Sequence, residues 1–236
     1  MKKVFSFIVV ALLTAGVMFA QDFNGTIKYS FNIEGEGVEQ FQSMMPTGMT
    51  MTYLKQDMIM EMQGGMVAMM MGKMLFHGKK GKGYMIKDSE ETIYTMSAPK
   101  GEDAGDAGDE EGPEIKKTDE TMIIAGYECT KYEIITEGPM GPQTGFAWAT
   151  DKIKPAKPKK GNSMSMGGMG GMNMKGLPGM PLKMEMATGP MTIVIEAKDV
   201  DTNTPDKKLF KLPKGYDKEE FNPNMFGGGG GGGMGF

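Results

Sequence analysis

Met49-Thr-Met-Thr-Tyr-Leu-Lys-Gln-Asp-Met-Ile-Met-Glu-Met-Gln-Gly-Gly65 is the stretch that decides the fold class. Met49, Met51 and Tyr53 alternate with threonines. Met58, Met60 and Met62 then alternate with Asp57, Glu61 and Gln63, and Gly64-Gly65 ends the run. A period of two places successive side chains on opposite faces of a strand, so each piece reads as a strand with one apolar face. Two such strands joined by a short polar turn predict an antiparallel sheet.

The same period extends in both directions. Upstream, Ile27, Tyr29, Phe31 and Ile33 alternate with Lys28, Ser30 and Asn32. Downstream, Lys73 to Met96 reads as two or three strands, with turns at Gly81-Lys82-Gly83 and Asp88-Ser89-Glu90-Glu91. Strands are expected again at Thr121–Ile124, Tyr127–Ile135, Gly145–Thr150 and from Leu182 to Val200. No long amphipathic helix is evident; Glu36 to Met45, before Pro46, suits a short one. The expected fold is mainly β: a strongly curved antiparallel sheet of half-barrel form.

Two stretches break the pattern. Residues 99–120 are acidic and Gly-rich and cannot bury enough apolar surface to offset the entropy of ordering. Residues 152–179 begin with Lys152, Lys154, Lys157, Lys159 and Lys160 and continue as a Gly/Met tract. Both are expected as disordered insertions in a single domain over residues 21–222. Residues 223–236, with seven consecutive glycines after Phe226, are expected as a disordered tail. At the other end, Lys2-Lys3 precede an apolar run from Val4 to Ala20, the pattern of a secretory leader over residues 1–20. No cysteine follows the expected cleavage region, so lipid attachment there is not supported. An exported product, periplasmic or secreted, is the reading.

Composition narrows the function. The 236-residue chain carries a net charge of −4, and its 26 basic residues are all lysine. Nucleic-acid readers use arginine for bidentate contacts, so DNA or RNA is not an expected partner. One cysteine, Cys129, excludes an internal disulfide. The one histidine, His77, lies in the basic stretch Phe76-His-Gly-Lys-Lys80, far from Cys129 in sequence, and no nucleophile motif surrounds either. They read as a surface histidine and a small buried cysteine. No zinc spacing or phosphate-loop motif is present, and Asp103, Asp106 and Asp109 recur every three residues where a calcium loop alternates every two. A non-enzymatic protein with no catalytic residues and no cofactor is expected.

Several pieces, in order, resemble a known group. They are Phe23-Asn-Gly-Thr-Ile-Lys-Tyr29, Ile124-Ala-Gly-Tyr-Glu-Cys-Thr-Lys-Tyr132, Trp148 on a short strand, Gly179-Met-Pro-Leu182, and Leu209-Phe-Lys-Leu-Pro-Lys-Gly-Tyr216. The chain resembles the domain of unknown function 4412 family of exported bacterial proteins. That family is similar in turn to periplasmic lipoprotein carriers of the LolA/LolB type, and the resemblance implies an open β half-barrel that holds acyl chains. It carries no catalytic residues with it.

Twenty-nine methionines remain to be explained. At strand positions they fill a core, each burial stabilising by roughly 1.5–3 kcal/mol. Elsewhere they suit an adaptable apolar surface, because an unbranched thioether repacks around guests of different shape. Met66, Met69, Met70 and Met71, between Gly65 and Gly72, are expected to form one mobile flap of a ligand-binding face. Leu177, Met180 and Leu182 form another. The expected partner is a hydrophobic small molecule, lipid or lipoprotein. The alternative is Cu(I) or Ag(I) capture by Met164, Met166, Met169, Met172 and Met174, whose spacing offers soft thioether ligands in a polar tract. A third reading is a structural or interaction module of the cell envelope. The lysine cluster near Lys152 attracts anionic headgroups at about 1 kcal/mol per lysine, which suits peripheral membrane contact.

Overall fold

A computed structural model of the chain describes residues 22–40, 42–96, 113–138, 141–154, 156 and 176–222. The expected leader, the glycine tail and the Gly/Met tract from 157 to 175 lie outside the described residues. So does the acidic stretch from 97 to 112.

The described strands are β1 (Gly25–Gly35), β2 (Gly48–Leu54), β3 (Asp57–Gln63), β4 (Lys73–His77), β5 (Lys82–Lys87) and β6 (Thr92–Met96). They continue with β7 (Glu114–Ile124), β8 (Tyr127–Gly138), β9 (Gly141–Thr150), β10 (Met180–Thr188), β11 (Met191–Asp201) and β12 (Asp217–Glu220). The one α-helix among the described residues, α1 (Gly65–Met71), joins β3 to β4. All twelve strands form one curved, open sheet in the order β12-β6-β5-β4-β3-β2-β1-β11-β10-β9-β8-β7. Two meanders, β1 to β6 and β7 to β11, meet where β1 pairs β11. Every pairing is antiparallel except β12 on β6. The expected mainly-β, curved antiparallel fold is what forms.

Differences from the sequence reading are local. Glu114 to Glu120, expected in the acidic insertion, open β7 instead. Ile115 sits opposite Ile134 and packs against the core, while Lys116 faces Glu133. One anchored isoleucine and a ladder of backbone hydrogen bonds outweigh the polar composition. The helix expected over Glu36–Met45 is a single 3-10 turn, Val38–Gln40, preceded by two left-handed glycines. Lys82 and Gly83, expected in a turn, begin β5.

The sheet buries both faces. The larger core includes Ile27, Tyr29, Met49, Met51, Met60, Met74, Leu182, Met184 and Ile195. A second, smaller core lies on the other face of β3 to β6 and holds Ile59, Leu75, Ile86 and Ile93. Phe210 of the 3-10 turn Lys207–Phe210 covers it, with Leu212 and Tyr216 beside it. Asp206 caps that turn, accepting from the Lys208 N–H at 2.8 Å. Tyr216 donates to Asp88 at 3.0 Å, and the chain then adds β12 to the edge.

Candidate functional site

Cross-strand partners in a sheet project to the same face. Ile27, Met51, Met60, Met74, Met85 and Tyr94 are successive partners across β1 to β6. Four consecutive methionines therefore form the middle of one row. Met49 opposite Met62 extends this face on one side, and Met58 opposite Phe76 on the other. Next to Phe31 of β1, Ile195, Met184, Ala147 and Tyr132 continue a matching row across the second meander. Met186 opposite Ile193 lies next to it.

The face is filled by its own side chains. Met51 is 5 % exposed, Met60 4 %, Met74 8 % and Met85 2 %. Where the resemblance implies an open, guest-holding half-barrel, this face is thus a closed core. Its polar groups are satisfied. Tyr29 donates to the Pro181 carbonyl at 3.1 Å, and Tyr53 donates to Met51 Sδ at 3.5 Å while meeting Phe23 edge-on at 5.7 Å. Burial pushes both phenols well above their ordinary pKa. Cys129 is fully buried in the same core, and burial pushes its thiol up to about 11. That is the reverse of an activated nucleophile.

The seven residues expected to bind the ligand separate into two groups. Met66, Met69, Met70 and Met71 belong to α1, not to a loop, because Met and Ala are strong helix formers even in a short run. Met66 is 54 % and Met69 81 % exposed; Met70 is half-buried, and Met71 packs against the larger core. Leu177 also packs on that core from the segment before β10. Met180 and Leu182, expected in a second flap, are strand residues of β10 buried within it. The alternative metal ligands, Met164, Met166, Met169, Met172 and Met174, lie outside the described residues. Of the lysine cluster, Lys152 is exposed and lies 3.8 Å from Asp151; the described residues stop short of Lys157, Lys159 and Lys160.

α1 is held to this face lightly. None of its residues is buried, and no side chain caps it. Its first N–H groups are met instead by backbone carbonyls, Met66 donating to Ser43 and Val67 to Met44 at 3.1 Å each. Glycines with positive φ stand at both ends: Gly64 just before it, Gly65 as its first residue and Gly72 after it. A hollow of about 240 Å³ lies beside it, lined by Met62, Ala68, Met69 and Ile86 with Glu61, Lys73, Lys87 and Asp88.

His77 is not a surface residue. Its side chain is 16 % exposed, with Nδ1 3.2 Å from Asp57 Oδ2 and the ring edge-on to Tyr84. Sequence reasoning missed this pair because the contact is set by the β3–β4 register. Glu90, on the surface, is held below the usual carboxylate range by hydrogen bonds from Lys87 and Tyr94. Among the described residues no group of three or more His, Cys, Asp or Glu side chains is placed to hold a metal ion.

A family model described as a domain of unknown function, DUF4412, matches residues 35–216. The chain belongs to the DUF4412 family. No curated protein matches it. Among solved structures, this DUF4412 protein is similar to PNGF-II at 17 % identity, with a TM-score of 0.44 over 86 % of this chain and 32 % of that one. It spans about a third of the length of PNGF-II. It is also similar to the lipoprotein LppX of Mycobacterium tuberculosis, at 9 % identity and a TM-score of 0.36, over 77 % of this chain and 90 % of that one. A LolA superfamily protein from Nitrosomonas europaea is similar at 9 % identity and a TM-score of 0.34, over 82 % and 92 % of the two chains.

Proposed function

We propose that this protein is an exported, non-catalytic binder of an apolar guest, a lipid or lipoprotein acyl chain, received on the methionine face. The observation that carries the reading is the unbroken row Met51–Met60–Met74–Met85 across four strands. A core built only for rigidity favours branched aliphatic side chains with few rotamers. Four adjacent thioethers give a surface that repacks at low cost, and a guest displaces side chains there without breaking strands. α1 is the element that moves to admit it, since it buries no residue and has a glycine at either end. Met66 and Met69, exposed in the closed state, then turn inward with Met71.

The test is displacement. A fluorescent apolar probe added to the protein is expected to bind saturably, and fatty acids or lysophospholipids are expected to displace it. If no acyl lipid competes with the probe, the binding reading fails.

A further inference from the structure

A second hollow, of about 310 Å³, lies where the β2–β3 turn, the β4–β5 turn and the 3-10 turn Lys207–Phe210 meet. Lys55, Lys79 and Lys207 line it together with Gln56 and Asp57, beside the buried side chains of Leu54 and Phe210. In a chain whose net charge is −4, this corner gathers cations. The acid among them is already engaged. Asp57 Oδ1 accepts the Gly78 N–H at 3.1 Å, and Oδ2 lies 3.2 Å from His77 Nδ1. None of the three lysines is in an ion pair among the described residues.

Gln56 lines the hollow as well, but its Oε1 is shut off from solvent and has no hydrogen-bond partner among the described residues. The cationic side chains are therefore what a guest in the hollow meets. The turn that carries these groups is fixed. Lys55 sits at φ 56, and its N–H donates to Asn24 Oδ1 at 2.6 Å. Leu54 and Phe210 belong to the smaller core, so the hollow lies on the side of the sheet away from the methionine row.

We propose that this hollow binds a small amphipathic oxyanion. Lys55, Lys79 and Lys207 hold its carboxylate or phosphate head, and Leu54 and Phe210 receive its apolar body. The volume lies at the small end of ligand pockets, which suits one short chain and excludes a two-chain lipid. The site is separate from the methionine face and does not depend on it.

Titration of the 15N-labelled protein with inorganic phosphate and, separately, with decanoate tests this. Both probes are expected to shift the backbone amides of Gln56, Gly78, Lys79 and Lys207 saturably. Decanoate is expected to bind at least about tenfold more tightly, because only it reaches the apolar floor. The double reversal Lys79→Glu with Lys207→Glu changes two exposed side chains and should leave the rest of the spectrum intact while weakening both probes by roughly tenfold or more. Lys116→Glu, on β7, should change neither. Absence of saturable shifts at these amides overturns the proposal, as does equal affinity in the double reversal. Phosphate binding as tightly as decanoate removes the apolar half of the site. Decanoate shifts confined to the amides of Met51, Met60, Met74 and Met85 overturn this site and leave the methionine-face reading standing.

Discussion

Met60 is the residue on which the account can be pressed hardest. It is 4 % exposed, with Met51 on one side and Met74 on the other. Met60→Ala leaves a cavity and is expected to cost about 2–5 kcal/mol in chemical denaturation. Met60→Leu preserves volume and should cost less than about 1.5 kcal/mol. If the row serves only as a core, leucine at Met60 and Met74 leaves probe binding unchanged. If it serves a guest, the double leucine variant keeps stability and accepts a narrower range of acyl lengths. Burial also sets a pH dependence. Cys129, Tyr29 and Tyr53 all have folded pKa values raised above their ordinary ones. The unfolded chain therefore loses these protons first as pH rises. The stability they contribute is complete below pH 9, the thiol's ordinary value, and is lost as pH climbs through the folded value of about 11 and beyond. Denaturation midpoints should fall steeply in that alkaline range, and Cys129 should resist alkylation at pH 8 until the protein unfolds. A midpoint that is flat to pH 11 contradicts this. The alternation of Met58, Met60 and Met62 with Asp57 and Glu61 was legible because a period of two is local. The pairing of His77 with Asp57 was not, because Asp57 comes from the next strand over.

Elements bear the second kind of test. Gly72 closes α1 at φ 58 and ψ −154, a region open essentially to glycine alone, and an added Cβ would lie 2.5 Å from the Ile86 carbonyl oxygen. Gly72→Ala is expected to destabilise by roughly 1–3 kcal/mol and to displace α1. Amide exchange at α1 should be much faster than at β3, because few buried contacts hold the helix. Equal protection in the two elements contradicts a moving α1. Met66 to Met71 was readable as a segment bounded by glycines, yet not as a helix. Seven residues fall below the length at which a helix holds itself in water, so its state depends on the sheet it rests on. The opposite error occurred at Glu114–Glu120, where composition spoke for a loop. The edge position of β7 lets its charges face water while Ile115 packs inward.

At the scale of the molecule, the unexpected feature is the second core and its cover. Ile59, Leu75, Ile86 and Ile93 point away from the methionine row, and Phe210 closes over them. Phe210→Ala should cost about 3–5 kcal/mol and raise binding of a dye that reports exposed apolar surface. An unchanged melting temperature would show that the cover is ornamental. The sheet class and most strands were legible because each strand carries its own signal. The meeting of β1 with β11 was not, since Tyr29 and Ala197 are far apart in sequence. Nor was a role for Leu209 to Tyr216, which stood out in sequence without a partner until the face it covers was known. Binding at the methionine row requires a core that yields to a guest. Methyl-13C methionine spectra, recorded as a perdeuterated acyl lipid is added, test it most directly. The account predicts that Met51, Met60, Met74 and Met85 shift together and saturate. Shifts limited to the exposed Met66 and Met69, with the row unmoved, would contradict it.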